Sequence, residues 1–120
     1  YTGNALACAA ANATLDIFEH DNIIEENKKK SEYIATKLEK FTELSNVKIT
    51  RQRGMVAVIE LQGYKSEDRI GLKVYQYGLK QGVLLRPLGH IIYFMPPYII
   101  TNKEIDKVMD VAYEAINLLK

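Results

Sequence analysis

Arg86 is the residue of this sequence best placed for recognition chemistry. It follows the apolar run Val83, Leu84 and Leu85 and precedes Pro87, and a residue before proline is held to an extended backbone. Its guanidinium therefore stands on a stiff support, where a planar fork of donors suits bidentate capture of a carboxylate. An arginine at a strand end also commonly points to water, and pattern alone leaves both readings open. Tyr93, in the apolar run that follows, reads as a core aromatic whose hydroxyl finds one partner. His20 and His90 have no imidazole or cysteine at the spacing a zinc site needs, so no metal is expected, and both read as exposed and uninvolved. Cys8 is the single cysteine; it can form no disulfide within the chain and reads as a small buried hydrophobe. No nucleophile elbow, P-loop or dinucleotide glycine fingerprint is present. By itself the chain carries no catalytic constellation.

The elements that must position Arg86 follow from periodicity. Gly3 to Phe18 is rich in alanine and apolar nearly all round, which predicts a helix buried on several sides, more burial than so small a domain supplies. Asn22 with Glu25 reads as the cap of a second helix carrying Ile24, Ile34, Leu38 and Phe41 on one face, and the Lys28 to Lys30 run as its solvated side. The period then falls to two. Val47 to Thr50 and Met55 to Leu61 read as strands, the second central in its sheet. Ser66 reads as the cap of a third helix ending at Gly82. Val83 to Arg86 and Ile91 to Met95 read as a strand pair joined by Pro87, Leu88, Gly89 and His90. Thr101 and Glu104 form a capping box for a last helix with an apolar stripe from Ile105 to Leu119. The order ααββαββα predicts an α+β fold, a small mostly antiparallel sheet with helices on one face.

The whole chain has 120 residues, 48% of them hydrophobic and 26% charged, with a net charge of +1, which fits one domain. Sixteen basic residues nearly balance fifteen acidic ones, so no field favours nucleic acid. No apolar run approaches the roughly 20 residues that span a bilayer, and no secretory leader is visible. The expected location is cytoplasmic.

Three segments carry a resemblance: the opening YTGNALACAAANATLDIF, the middle RQRGMVAVIEL and above all GVLLRPLGHIIYFMPPYIIT. They resemble the end of class III aminotransferases, and the stretch from Arg86 to Tyr98 resembles the members that serve biotin synthesis. The likeness covers essentially all 120 residues. It implies the C-terminal small domain of a fold-type I, pyridoxal-phosphate enzyme that works as a homodimer. Residues 1–120 would then be that domain, with residues 3–18 its linking helix, and the large α/β domain would lie outside this sequence. By the same resemblance Arg86 binds the carboxylate of the keto acceptor, 8-amino-7-oxononanoate, and Tyr93 lines the substrate site. The family segment ahead of Gly3 and Asn4 reaches the partner subunit's cofactor phosphate, but its hydroxyl residue would fall just before Tyr1, which leaves Tyr1 at most a backbone contact. The cofactor-bearing lysine and the aspartate beside the pyridine nitrogen belong to the large domain. No catalytic residue, bound cofactor or activity is therefore expected of these residues alone. The donor, adenosylmethionine or lysine, stays open, as do two other readings: a class III aminotransferase with another substrate, and a stand-alone α+β effector or interaction domain.

Overall fold

A computed structural model describes residues 2–119. The elements are α1 (Ala5–His20), α2 (Ile23–Glu39), a 3-10 turn at Lys40–Glu43, β1 (Val47–Arg53), β2 (Val56–Leu61), a second 3-10 turn at Ser66–Asp68, α3 (Ile70–Lys80), β3 (Arg86–Leu88), β4 (Ile91–Phe94) and α4 (Asn102–Asn117). Helices and strands thus alternate in the expected order. The four strands make one antiparallel sheet in the order β1-β2-β4-β3, and the valine-rich β2 is internal, as its apolar run foretold.

Alternation along the strands decides what each face does. Ala57, Ile59 and Leu61 of β2 and Ile92 of β4 are buried with Ile34 and Leu38 of α2, Phe41, Val74 of α3, and Ile105, Met109, Ala112 and Ile116 of α4 in one apolar cluster. The intervening residues Val58, Tyr93 and Arg86 stand on the opposite side, which no helix covers. The layer is held at its edges by local chemistry. The box that opens α4 forms as expected, with Glu104 N donating to Thr101 Oγ1 at 3.3 Å and Thr101 N to Glu104 Oε2 at 2.8 Å. Between α2 and α4, Asp106 Oδ1 accepts from Tyr33 Oη at 2.7 Å and pairs with Lys37 Nζ at 2.6 Å, while Lys40 pairs with Asp110.

Several local expectations are corrected. Asn22 does precede α2, but its backbone is left-handed (φ +55°) and its side chain makes no cap bond, so no box with Glu25 forms. Ser66 does not cap α3: Ser66–Asp68 is a separate turn, and Arg69 at φ +49° breaks the ladder before Ile70. The Arg51 to Gly54 stretch is mostly strand, with the reversal at Gly54 and Met55. The strand pair after α3 also turns more tightly than expected. Leu88 pairs with Ile91, so only Gly89 and His90 form the turn, with glycine first at φ +63° as type II′ hairpins have it. Pro87 lies inside β3, where it is tolerated because β3 is an edge strand. Cys8 is exposed, not buried. The reason is the whole of α1, which begins at Ala5 under an Asn4 cap and has no buried residue. It meets the rest of the chain near its C-terminal end, where Phe18 stands edge-on to Tyr98 with ring centroids 6.0 Å apart.

Candidate functional site: a carboxylate anchor on the open sheet face

Across the uncovered face runs one row of paired residues: Arg51, Val58, Tyr93 and Arg86, one from each strand. The row brings together the two site residues expected from sequence. Arg86 is exposed, and its Cζ lies over the Tyr93 ring, 5.3 Å from its centre, a cation–π contact. Tyr93 is half-buried and faces the open side, so it is not the interior aromatic that pattern alone suggested. The stiff support is also present: Val83 and Leu85, just ahead of Arg86, are buried, and Ile92 beside Tyr93 is buried with them.

The second arginine of the row shows what a spent guanidinium looks like. Arg51 Nη2 lies 3.0 Å from Glu60 Oε2, and Lys48 Nζ lies 2.7 Å from Glu60 Oε1. Glu60 is the buried charged residue of the fold. Its hydrogen bond from Lys48, with the charges of Lys48 and Arg51, holds its carboxyl below the usual carboxylate range against the opposing effect of burial. Arg86 has no such partner: among the described residues no carboxylate lies within ion-pair distance of it. An oriented, uncompensated guanidinium on an open face can take a carboxylate in two parallel hydrogen bonds.

The remaining expected residues are not part of this arrangement. Tyr1 lies outside the described residues. His90 is exposed at the hairpin turn; His20 is exposed near the end of α1, its Nδ1 2.7 Å from the Asp16 carbonyl oxygen. Among the described residues no cluster of three or more histidine, cysteine or acidic side chains could hold a metal ion. Nor do the residues beside Arg86 fit pyridoxal phosphate. Lys48 on this face is tied to Glu60, and the Glu60 carboxylate is taken up by Lys48 and Arg51. Arg51 and Glu60 were not singled out from sequence. They meet as diagonal neighbours because Arg51 pairs with Val58 and Ile49 with Glu60, a β1–β2 register that no local signal announced.

Comparison with known proteins shows the family. The family model described as Aminotransferase class-III matches residues 1–116. The adenosylmethionine-8-amino-7-oxononanoate aminotransferase of Helicobacter pylori is 46% identical over 124 aligned residues, covering 100% of this chain and 28% of that protein. The protein of the same name from Methanocaldococcus jannaschii is 41% identical, over 97% of this chain and 27% of its own length. The crystal structure of adenosylmethionine-8-amino-7-oxononanoate aminotransferase from M. jannaschii superposes with a TM-score of 0.93 at 40% identity, over 98% of this chain and 28% of that one. An omega-transferase from Vibrio fluvialis shares the fold, with a TM-score of 0.87 at 19% identity. This chain therefore spans little more than a quarter of the length of these relatives, and it belongs to the class-III aminotransferases.

Proposed function

We propose that this chain is the C-terminal small domain of a pyridoxal-phosphate transaminase of biotin synthesis, and that it supplies the anchor for the acceptor's carboxylate. In this reading the longer protein converts 8-amino-7-oxononanoate to 7,8-diaminononanoate in the cytoplasm as a homodimer, and residues 3–18 link the two domains. The names of the relatives support adenosylmethionine as donor. One observation carries the assignment: Arg86 lies over the Tyr93 ring and has no acidic partner among the described residues, while Arg51 in the same row does.

The chemistry of transfer belongs to the cofactor and to residues outside this chain. What Arg86 does is orient. A carboxylate held at two points by a fixed fork leaves the rest of the acid pivoting about one end, so the ketone is presented at a set distance instead of by chance encounter. The Tyr93 ring keeps the fork from swinging into water, and a second domain over this face would strengthen the pair by excluding solvent. In the full-length enzyme, Arg86→Ala is expected to cost about 2 to 4 kcal/mol of acceptor binding and positioning, roughly 30-fold to 1000-fold in kcat/KM for the keto acid. The half-reaction on the amino donor should change much less. Single-turnover measurement of the two halves checks this, and equal losses in both would show a structural role for Arg86 instead.

A further inference from the structure

Helix α3 contains two buried glycines seven residues apart, Gly71 and Gly78. Glycine is a poor helix residue, so its use here asks for a packing reason. Neither has a positive φ; the reason is space. A Cβ at Gly71 would fall 2.3 Å from the carbonyl oxygen of Gly89 and 2.7 Å from Pro87 Cβ, and one at Gly78 would fall 2.8 Å from the carbonyl oxygen of Val83 and 3.1 Å from the Leu85 side chain. Seven residues are two helical turns, so both glycines share one face of α3. The chain from Val83 to Gly89 lies along it, with Arg86 in the middle.

The sheet alone fixes this stretch poorly. The edge strand β3 has three residues, it pairs with β4 on one side only, and its central residue, Pro87, has no N–H to donate. Its other restraint is the glycine face of α3. At Gly71 the obstacle to any side chain is a backbone oxygen of the hairpin turn, which no rotamer change can move aside. An added methyl must displace the turn itself, three residues from Arg86.

We propose that Gly71 is a positioning residue for the acceptor's carboxylate: its bare Cα seats the Pro87–Gly89 turn against α3, and that seat sets where the Arg86 guanidinium stands. The inference rests on the reading of Arg86 as the carboxylate anchor, and its test separates the two. In the full-length holoenzyme, Gly71→Ala, Arg86→Ala and the double variant are compared in each half-reaction. Displacement of a positioning group by about an ångström costs up to roughly a hundredfold, so Gly71→Ala is expected to lower kcat/KM for the keto acid about 10-fold to 100-fold, chiefly through KM. The donor half should stay within about twofold. Added to Arg86→Ala, the same change should cost less than about twofold, because no guanidinium remains to be misplaced.

Equal losses in both halves, or full additivity of the two substitutions, overturn the role of Gly71 while leaving Arg86 in place. An Arg86→Ala enzyme with an unchanged acceptor half overturns the anchor reading, and the inference with it. If Gly71→Ala does not accumulate as soluble holoenzyme, Pro87→Gly asks the same question from the other side of the contact. It removes the Cβ against which Gly71 is seated and frees the turn, and should raise the acceptor KM selectively. An unchanged KM in that variant overturns the proposal.

Discussion

Arg51 and Arg86 stand in one row of one sheet face and differ in what neutralises them. Glu60 compensates Arg51, and an aromatic ring orients Arg86 without cancelling its charge. The distinction bears on substitution. Arg86→Lys keeps a positive charge but loses the planar fork and most of the stacking, so it should recover only part of the acceptor half-reaction lost in Arg86→Ala. Tyr93→Phe keeps the ring and should change the acceptor KM by less than about threefold, whereas Tyr93→Leu removes the π face and should raise it about tenfold, the scale of a partly desolvated cation–π contact. Acceptor titrations of the three variants check this; a Phe variant as poor as the Leu variant would show that the hydroxyl, not the ring, carries the effect. Arg86 was singled out in the sequence from Pro87 and the preceding apolar run, although β3 begins only at Arg86 and Val83 to Leu85 lie ahead of it. Its pairing with Tyr93 was not. A four-residue connection from Pro87 to His90 would have set Arg86 against Ile91, and the tighter turn advances the register by two. That shift keeps Arg86 on the same face and changes its neighbour.

Among the elements, α2 and α4 are fastened by side chains whose protonation decides how well they hold. Asp106 accepts from Lys37 and Tyr33, and these hydrogen bonds keep its carboxyl below the usual range; Lys37 is raised by the same contact, chiefly through its hydrogen bond to Asp106. A depressed carboxylate contributes stability that is present above its unfolded pKa and lost as the pH falls through the folded one. A raised lysine contributes below its unfolded pKa and loses its effect only in strong alkali. The clamp is therefore intact at neutral pH and fails on the acid side. The thermal midpoint of the isolated chain should drop as the pH is taken down through the ordinary 3.8 of an aspartate and below. Asp106→Asn should start lower at neutral pH and show a shallower acid slope, measurable by circular dichroism melts. A slope as steep as that of the unsubstituted chain would assign the acid loss to other carboxylates such as Glu60 and Glu104, which are also held low. The α4 boundary was legible because a capping box is a short-range pattern; the start of α3 was not, because Arg69 takes a left-handed backbone that its residue type does not advertise. Helix α1 divides in the same way. Its helicity and all-round apolar character were plain, but the burial assigned to Cys8 needed a neighbour this chain does not contain. Leu6 is 84% exposed and Leu15 61% exposed, so α1 should exchange its amide protons faster than α2 and α4, and the chain should associate as concentration rises. A strictly monomeric chain with α1 fully protected from exchange would contradict both.

At the scale of the molecule, the radius of gyration is 17.0 Å and the longest extent 51 Å, where a compact domain of this length has a radius of about 14 Å. The excess comes from α1, which extends from a layer that is finished on its helical side and unfinished on the other. Exposed Ile49, Leu88 and Met95 and the uncompensated Arg86 all belong to unfinished surface. An apolar surface of this kind with a guanidinium set into it suits the wall of a site completed by another domain, and the relatives, of which this chain covers 28% or less, are long enough to supply one. The proposed reading divides the labour: Arg86 in this chain orients the acceptor, and the cofactor is carried by the other domain. The 120-residue chain mixed with pyridoxal phosphate and any amino donor is accordingly expected to transfer no amine to a keto acid. Lysines on its surface should give at most a weak absorption band that disappears on dilution. A stable band near the edge of the visible, coupled to amine transfer that Arg86→Ala abolishes, would place a complete site within these residues and would sink the assignment of the chain as one wall of a larger enzyme. A keto acid should still be retained weakly without turnover, and Arg86→Ala should abolish that retention in equilibrium dialysis. Binding without chemistry is the signature expected of an anchor separated from its catalyst.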